Sequence, residues 1–412
     1  MRYKKSLYCR LCKSKRLKNI FELTPTPWAD DFRPKNKLNI KQPVVPLKIN
    51  LCKDCSHAQL SHVMNAEDIY LNYTYETSSS ITLREHFRKG STRIINKFKP
   101  KKGSLVVDIG SNDGMLLSFF KRKGMRALGI DPMPGIAIKA KKNGIETLGK
   151  FFTEKYSKKM AEKYGKASII TANNLVADTD DLDEFMFGIK NLMDENSLFI
   201  FESFYFYLQI KNFVWDFTYH EHYSYFTVTA LKKYFNSIGM EIVDIEAINT
   251  KGGSMRCAVQ LKNGTRKVRS SVKKYENLEK KFGYPKTTLF KKYKNKVTKS
   301  FLNFNKKISK LLSNGKKISA YGASATSTTL MYHYKMKYLK NIFDDFKIKQ
   351  GLYSPGFKIP VNNPKDIYKL KPHYIIILAW RYKNQIIKMH KKYLKKGGKF
   401  IIPLPKFKII SK

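Results

Sequence analysis

The chain has no long apolar run. No window approaches the roughly 18 apolar residues of a membrane helix, and the opening MRYKKSLYCRLC is basic without the apolar core of a secretory leader. A cytoplasmic chain with no membrane partner is therefore expected. Acidic residues are scarce: 32 Asp and Glu stand against 80 Lys and Arg, a formal net charge of +48. Such an excess would suit a polyanion. Yet lysine dominates and falls on nearly every exposed face, whereas a nucleic-acid surface gathers its charge into a patch and mixes in arginine. Nucleic acid is not the expected partner. Cysteine is also scarce, at 5, and four of the five fall in two pairs. Against these shortages, apolar residues make up 42% and aromatics 13% of the 412 residues, enough to build two or three cores and to exclude disorder.

The pairs are Cys9 and Cys12 in CRLC, and Cys52 and Cys55 in CKDC. A CxxC knuckle aims two thiolates at one point, and two knuckles complete a tetrahedral Zn2+ site. Four cysteines leave no open coordination position, so the ion is structural. The gap between the knuckles is longer than in a short finger, which predicts an inserted loop carrying TPTPWADDF. Cys257 is left as a small buried apolar residue.

Residues 66–98 read as helical, with the aromatic and hydroxyl cluster YLNYTYETSSSITLREHF. Next comes GSLVVDIGSNDGMLLSFF: a strand ending near Val107, a turn framed by Gly110 and Gly114, and a helix with Leu116, Leu117 and Phe120 on one side. About twenty residues on, ALGIDP gives a second strand ending in Asp131, an acid suited to two ribose hydroxyls. DIGSNDG lacks the dinucleotide three-glycine spacing and is similar to the first motif of class I S-adenosylmethionine-dependent methyltransferases. There Asp108 and the backbone of Gly110, Ser111, Asn112, Asp113 and Gly114 would surround the methionine and ribose portions. ASIITANNLVADTDDLDEF and SLFIFESFYF add two strands whose carboxyl ends bring Asn173, Asn174, Asp178 and Glu202 toward the same crevice.

YHEHYSYF, residues 219–226, sets a glutamate beside a histidine among four aromatic rings. Alternation alone reads it as a plain strand. Its place after the crevice strands instead lays WDFTYHEHYSYF over the cofactor, with Tyr219, Glu221 and His222 on the substrate side. Beyond residue 265 a lysine-rich helical stretch breaks at Gly283 and Pro285, its charges forming a solvated face. KKISAYGASATSTTL, NIFDDF, HYIIILAW and KFIIPLP then read as a second Rossmann-like layer.

Taken in order, the CxxC pairs, DIGSNDG, ANNLVAD, YHEHYSYF, KGGSMR, YGASATSTTL, KQGLYSPG, ILAW and IIPLP resemble the three-domain sugar C-methyltransferases that act on nucleotide-linked deoxysugars. The resemblance implies an α/β protein: a class I methyltransferase Rossmann-like domain (66–265) flanked by an amino-terminal zinc module (1–65) and, after linker helices, a carboxyl-terminal Rossmann-like domain (266–412). Its cofactors would be S-adenosylmethionine and structural Zn2+, its partner a dTDP-linked 4-keto sugar, and its working form a monomer. The ketone acidifies the neighbouring C–H, and His222 is the natural base. Glu221 would orient it or bind sugar, and Tyr219 or Tyr75 would donate to the enolate oxygen. Four positions depart from the family. Asp178 stands where a histidine is common, Thr326 and Ser327 replace a lysine and glycine, and Arg381 replaces an asparagine. An RNA methyltransferase with a zinc knuckle and a non-catalytic scaffold are the alternatives. The intact glycine loop and Asp131 argue against the scaffold.

Overall fold

Val45, Leu47, Ile49 and Leu51 turn inward along the strand Val45–Cys52, the period of two expected where one face of a sheet is covered. This strand is the middle of an antiparallel meander with Leu17–Thr26 and Ala58–Leu60. The structure is a computed structural model that describes residues 3–65, 77–79 and 81–412. TPTPWADDF divides between the end of the first strand and the loop beyond it. The fourth strand of this sheet comes from far along the chain. Ser224–Tyr225, the end of YHEHYSYF, pairs antiparallel with Ala58–Leu60, Ser224 opposite Gln59 and Tyr225 opposite Ala58. The octapeptide is thus strand only in its last third, and the residues before it form a turn.

The central sheet has seven strands. In chain order they are Leu105–Ile109, Arg126–Ile130, Glu146–Leu148, Ile169–Asn173, Leu198–Phe204, Met240–Ile248 and Ser254–Leu261. Their spatial order is 3-2-1-4-5-7-6, all parallel except the seventh, which runs antiparallel to both its neighbours. The order reverses between the first and fourth strands, where an open α/β sheet leaves a crevice at its carboxyl edge. The strands are apolar along their length, as burial on both faces requires.

Two helices, Ser270–Phe282 and Thr287–Ser313, lead to the last domain. They meet at Gly283, whose φ of 97° ends the first helix in the left-handed conformation. On the second, Phe290, Tyr293, Val297, Phe304 and Ile308 form a buried stripe at helical spacing, leaving most lysines to solvent. The carboxyl-terminal sheet has six strands, parallel except for the last, with Ile318–Tyr321 and Tyr374–Ile377 at its centre.

One buried carboxylate ties the linker to the central domain. Glu279 accepts from the Tyr205 hydroxyl (2.6 Å), the Val228 and Thr229 amides (2.6 and 2.9 Å) and the Thr229 hydroxyl (2.5 Å). It caps the helix Val228–Ser237 from outside, and its burial pushes its own pKa up. Glu279→Ala leaves all four donors unpaired and is expected to lower stability by about 2–4 kcal/mol in chemical denaturation. A loss under about 0.5 kcal/mol would show that the cap carries little of the interdomain contact.

Candidate active site

The four knuckle sulfurs lie within 4.8 Å of one another, Cys9 and Cys55 3.5 Å apart and Cys12 and Cys52 also 3.5 Å apart. A tetrahedral site with Zn–S near 2.3 Å spaces its sulfurs by about 3.8 Å, so the four ligands fit zinc and leave no open position. Arg10, inside the first knuckle, is buried and reaches out of the module. Its Nε donates to Asp180 (3.1 Å), its Nη1 to the carbonyls of Leu60 (3.1 Å) and Tyr223 (3.4 Å). The knuckle therefore holds the end of the YHEH turn as well as its own sheet.

One cavity of about 1650 Å3 runs between all three domains. Asp108, Gly110, Ser111, Asn112, Asp131, Asn173 and Asn174 line its central-domain side. Gly110 has φ 69° and Asn112 φ 48°, the tight left-handed path of the loop, and a Cβ on Gly110 would press on Leu175 at 3.1 Å. Asp131 accepts from the amides of Asn112 (2.9 Å) and Met133 (3.0 Å), which fixes its carboxylate at the second strand's end. Burial raises its pKa, and pushes that of Asp108, which accepts from Thr171 (2.6 Å), up to about 7. Among the described residues the buried Ser111 hydroxyl has no partner, a polar atom that a bound ligand would satisfy.

Two residues of the expected set do not line the cavity. Asp113 accepts from the amides of Ser78 (2.8 Å) and Met115 (3.3 Å), and Gly114 is the left-handed residue at the start of the helix Met115–Lys121. Both shape the loop from behind. Glu202 also turns away, contrary to the reading of its strand. It is buried against His86 (2.8 Å), Arg256 (3.2 Å) and Thr250 (3.1 Å). Three donors stabilise a carboxylate that the crevice would leave unpaired, and its pKa falls. Tyr75 lies outside the described residues.

Tyr219, Glu221, His222 and Asp178 all line the cavity. His222 Nδ1 sits 3.1 Å from the Phe217 carbonyl, which can only accept, so Nδ1 carries the proton and Nε2 carries the lone pair. The ring is packed by Tyr219 (4.0 Å between centroids), Phe204 (4.4 Å) and Phe217 (4.8 Å). Burial, then the nearby Lys251 cation, lowers its pKa to about 3. Glu221 accepts from the Trp28 indole (2.8 Å), while burial and then the Asp30 carboxylate push it up to about 7. Asp178 is raised well above the usual range by burial and by Glu221. Its neighbour Lys251 is lowered by burial against the pull of Asp178. Sequence reasoning missed three participants: Trp28, Lys251, and Asp216 paired with Arg381. KGGSMR and WADDF were both visible, but nothing local tells that either faces YHEH.

The carboxyl-terminal domain closes the far side. Gly322 (φ 106°) and Ser324 form the turn before the helix Ala325–His333, Thr326 sits in its first turn, and Asp344, Lys349 and Arg381 lie alongside. Among the described residues the cavity is lined by eleven acidic and five basic side chains, the reverse of the whole chain.

A 3-2-1-4-5-7-6 sheet with a glycine loop and a terminal acid at its switch point defines a class I S-adenosylmethionine-dependent methyltransferase, and a methyltransferase-domain family model matches residues 83–245. A zinc binding domain model matches residues 9–70, and a C-methyltransferase C-terminal domain model residues 249–405. The chain is an S-adenosylmethionine-dependent methyltransferase in which these three domain matches follow one another. C-methyltransferase NovU of Streptomyces niveus is 27% identical over 408 residues, covering 98% of this chain and 96% of its own. Among solved structures, the PH0226 protein from Pyrococcus horikoshii OT3 is 10% identical with a TM-score of 0.37, covering 48% of this chain and 100% of that one. Magnesium protoporphyrin IX methyltransferase from Synechocystis PCC 6803, with bound SAM, is 12% identical with a TM-score of 0.33, covering 47% and 88%.

Two measurements test this geometry. Nitrogen NMR of His222 is expected to show a neutral Nδ1–H imidazole at pH 5, where a free histidine is charged. Because the folded pKa is depressed, its contribution to stability is complete above about 6.5 and is lost as the pH falls toward 3. A ring half-charged near pH 6.5 would contradict the burial argument. Cys52→Ser is expected to lose bound zinc and most methyl transfer while S-adenosylhomocysteine binding persists. Full turnover in zinc-free protein would show that the knuckle does not hold the turn.

Proposed function

We propose that this enzyme methylates a carbon beside the ketone of a nucleotide-linked keto-deoxysugar, with His222 as the base. The observation that carries the reading is the neutral imidazole: its Nδ1–H is committed to Phe217, which leaves Nε2 for a substrate in a cavity that also holds the donor loop. At about 1650 Å3 that cavity exceeds the usual single-ligand site and has room for a donor and a nucleotide sugar together.

Bound S-adenosylmethionine supplies an electrophilic methyl group. Asp131 meets the ribose and Gly110, Ser111 and Asn174 surround the rest of the donor. His222 takes the proton next to the ketone onto Nε2. The burial that keeps it neutral also makes it a weak base in the empty protein. The developing enolate supplies the negative charge that an imidazolium needs beside it. Lys251 and Tyr219 are the donors at hand for the ketone oxygen, and Phe204 and Phe217 keep water from the carbanion. Deprotonation raises the carbon to a nucleophile, and holding it against the donor is the remaining task.

The nucleotide falls on the carboxyl-terminal side, where the amino end of the helix Ala325–His333 and the hydroxyls of Ser324 and Thr326 suit a diphosphate. An RNA chain fits less well. It would have to enter a cavity whose lining includes Asp30, Asp180, Asp181 and Glu184. The cytoplasmic, monomeric state belongs to the same proposal.

The test is incubation with methyl-labelled donor and a panel of dTDP-, UDP- and GDP-linked keto sugars, with wild type and His222→Asn. Label is expected in a C–CH3 product, and the variant should lose at least about 100-fold in kcat with S-adenosylhomocysteine binding kept. A variant working near the wild-type rate, or label only in RNA, would overturn the reading.

A further inference from the structure

We propose that Arg381, a residue of the carboxyl-terminal domain, is a positioning residue that sets the orientation of the His222 imidazole through Asp216 and the Phe217 carbonyl. The proposal rests on the reading of His222 as the base. The Phe217 carbonyl is the only recorded hydrogen-bond partner of the His222 ring among the described residues, and it sits 3.1 Å from Nδ1. Any rotation of that peptide turns the ring and moves Nε2 with it.

The carboxyl-terminal domain grips this peptide from both sides. Before it, the fully buried Asp216 carboxylate accepts two contacts from Arg381 Nη1 (3.2 and 3.0 Å) and a third from the Trp380 indole (2.8 Å). After it, the Thr218 carbonyl accepts from the Thr329 hydroxyl (2.9 Å). Arg381 Nη2 donates to Thr326 (2.9 Å), so one guanidinium bridges the catalytic turn and the first turn of the helix Ala325–His333. Its Cζ lies 5.3 Å from the centre of the Phe217 ring, which in turn packs 4.8 Å from the imidazole. A planar fork can hold two partners at fixed angles, whereas an ammonium holds one point. Arg381 and Thr326 also line the cavity, at the end where the nucleotide is proposed to bind. The clamp therefore lets the substrate-binding domain fix the geometry of a base that it does not itself contain.

Three variants test the clamp. Arg381→Lys keeps a charge beside Asp216 but loses the fork. Asp216→Asn combined with Arg381→Gln removes both charges, so no lone carboxylate is left buried. Thr329→Val releases the other side of the peptide without touching charge. For each folded variant, kcat, KM, S-adenosylhomocysteine affinity and the nitrogen spectrum of His222 are measured. The expected result is a fall in kcat of roughly 10- to 100-fold, with donor-product affinity within about twofold and the Nδ1–H signal of His222 shifted or split between tautomers. A wild-type kcat would overturn the proposal. So would a rise in KM alone, or a loss of kcat with the imidazole spectrum unchanged, since Arg381 would then act on the substrate directly. Should His222→Asn retain full turnover, the base lies elsewhere, yet the His222 spectrum still decides whether the clamp exists.

Discussion

The hydrogen bond from His222 Nδ1 to the Phe217 carbonyl is the constraint on which the site depends. It selects one tautomer and aims the remaining nitrogen. It works only because the ring is dry. Packed by Tyr219, Phe204 and Phe217, the imidazole cannot charge near neutral pH and so stays an acceptor. Its charged neighbours form a small field of opposed signs, Glu221 and Asp178 on one side and Lys251 on the other. Burial raises both carboxylates, helped by Asp30 at Glu221 and by Glu221 at Asp178.

Three sheets have to meet for that ring to be held. The turn before it is gripped by the carboxyl-terminal domain, and the strand after it is stitched into the zinc module. The zinc module thus bears on how the YHEH turn is held. With the four thiolates drawn together, Arg10 is fixed, and Arg10 holds the Tyr223 carbonyl one residue beyond His222. The charge distribution follows the same division. Lysines cover the outside, while the cavity keeps an excess of carboxylates that suits a sulfonium cation and sugar hydroxyls and leaves an anionic group to the carboxyl-terminal loop.

What was legible in the sequence was local. The cysteine knuckles, the glycine loop and Asp131 are short patterns whose chemistry fixes their spacing, and the break at Gly283 follows from one left-handed residue. What was not legible was long-range. Ser224–Tyr225 is too short to announce itself as a strand, and its partner lies more than 160 residues earlier. Glu221 meets Trp28 at a sequence separation of 193, and Asp216 meets Arg381 at 165. Glu202 misled because it reads as the polar end of an apolar strand, whereas the strand runs on to Phe204. Its register opposite Arg256 is set by the antiparallel seventh strand, and that pairing turns it to a buried ion network instead.

The central claim is that one imidazole removes a proton from a carbon beside a carbonyl. It is tested most directly by following solvent deuterium into the keto sugar, with enzyme saturated in S-adenosylhomocysteine so that no methyl transfer can occur. The account predicts that wild-type protein exchanges deuterium at the carbon next to the ketone and that His222→Asn does not. Exchange at the wild-type rate in the variant, or none in the wild type with sugar demonstrably bound, would contradict it.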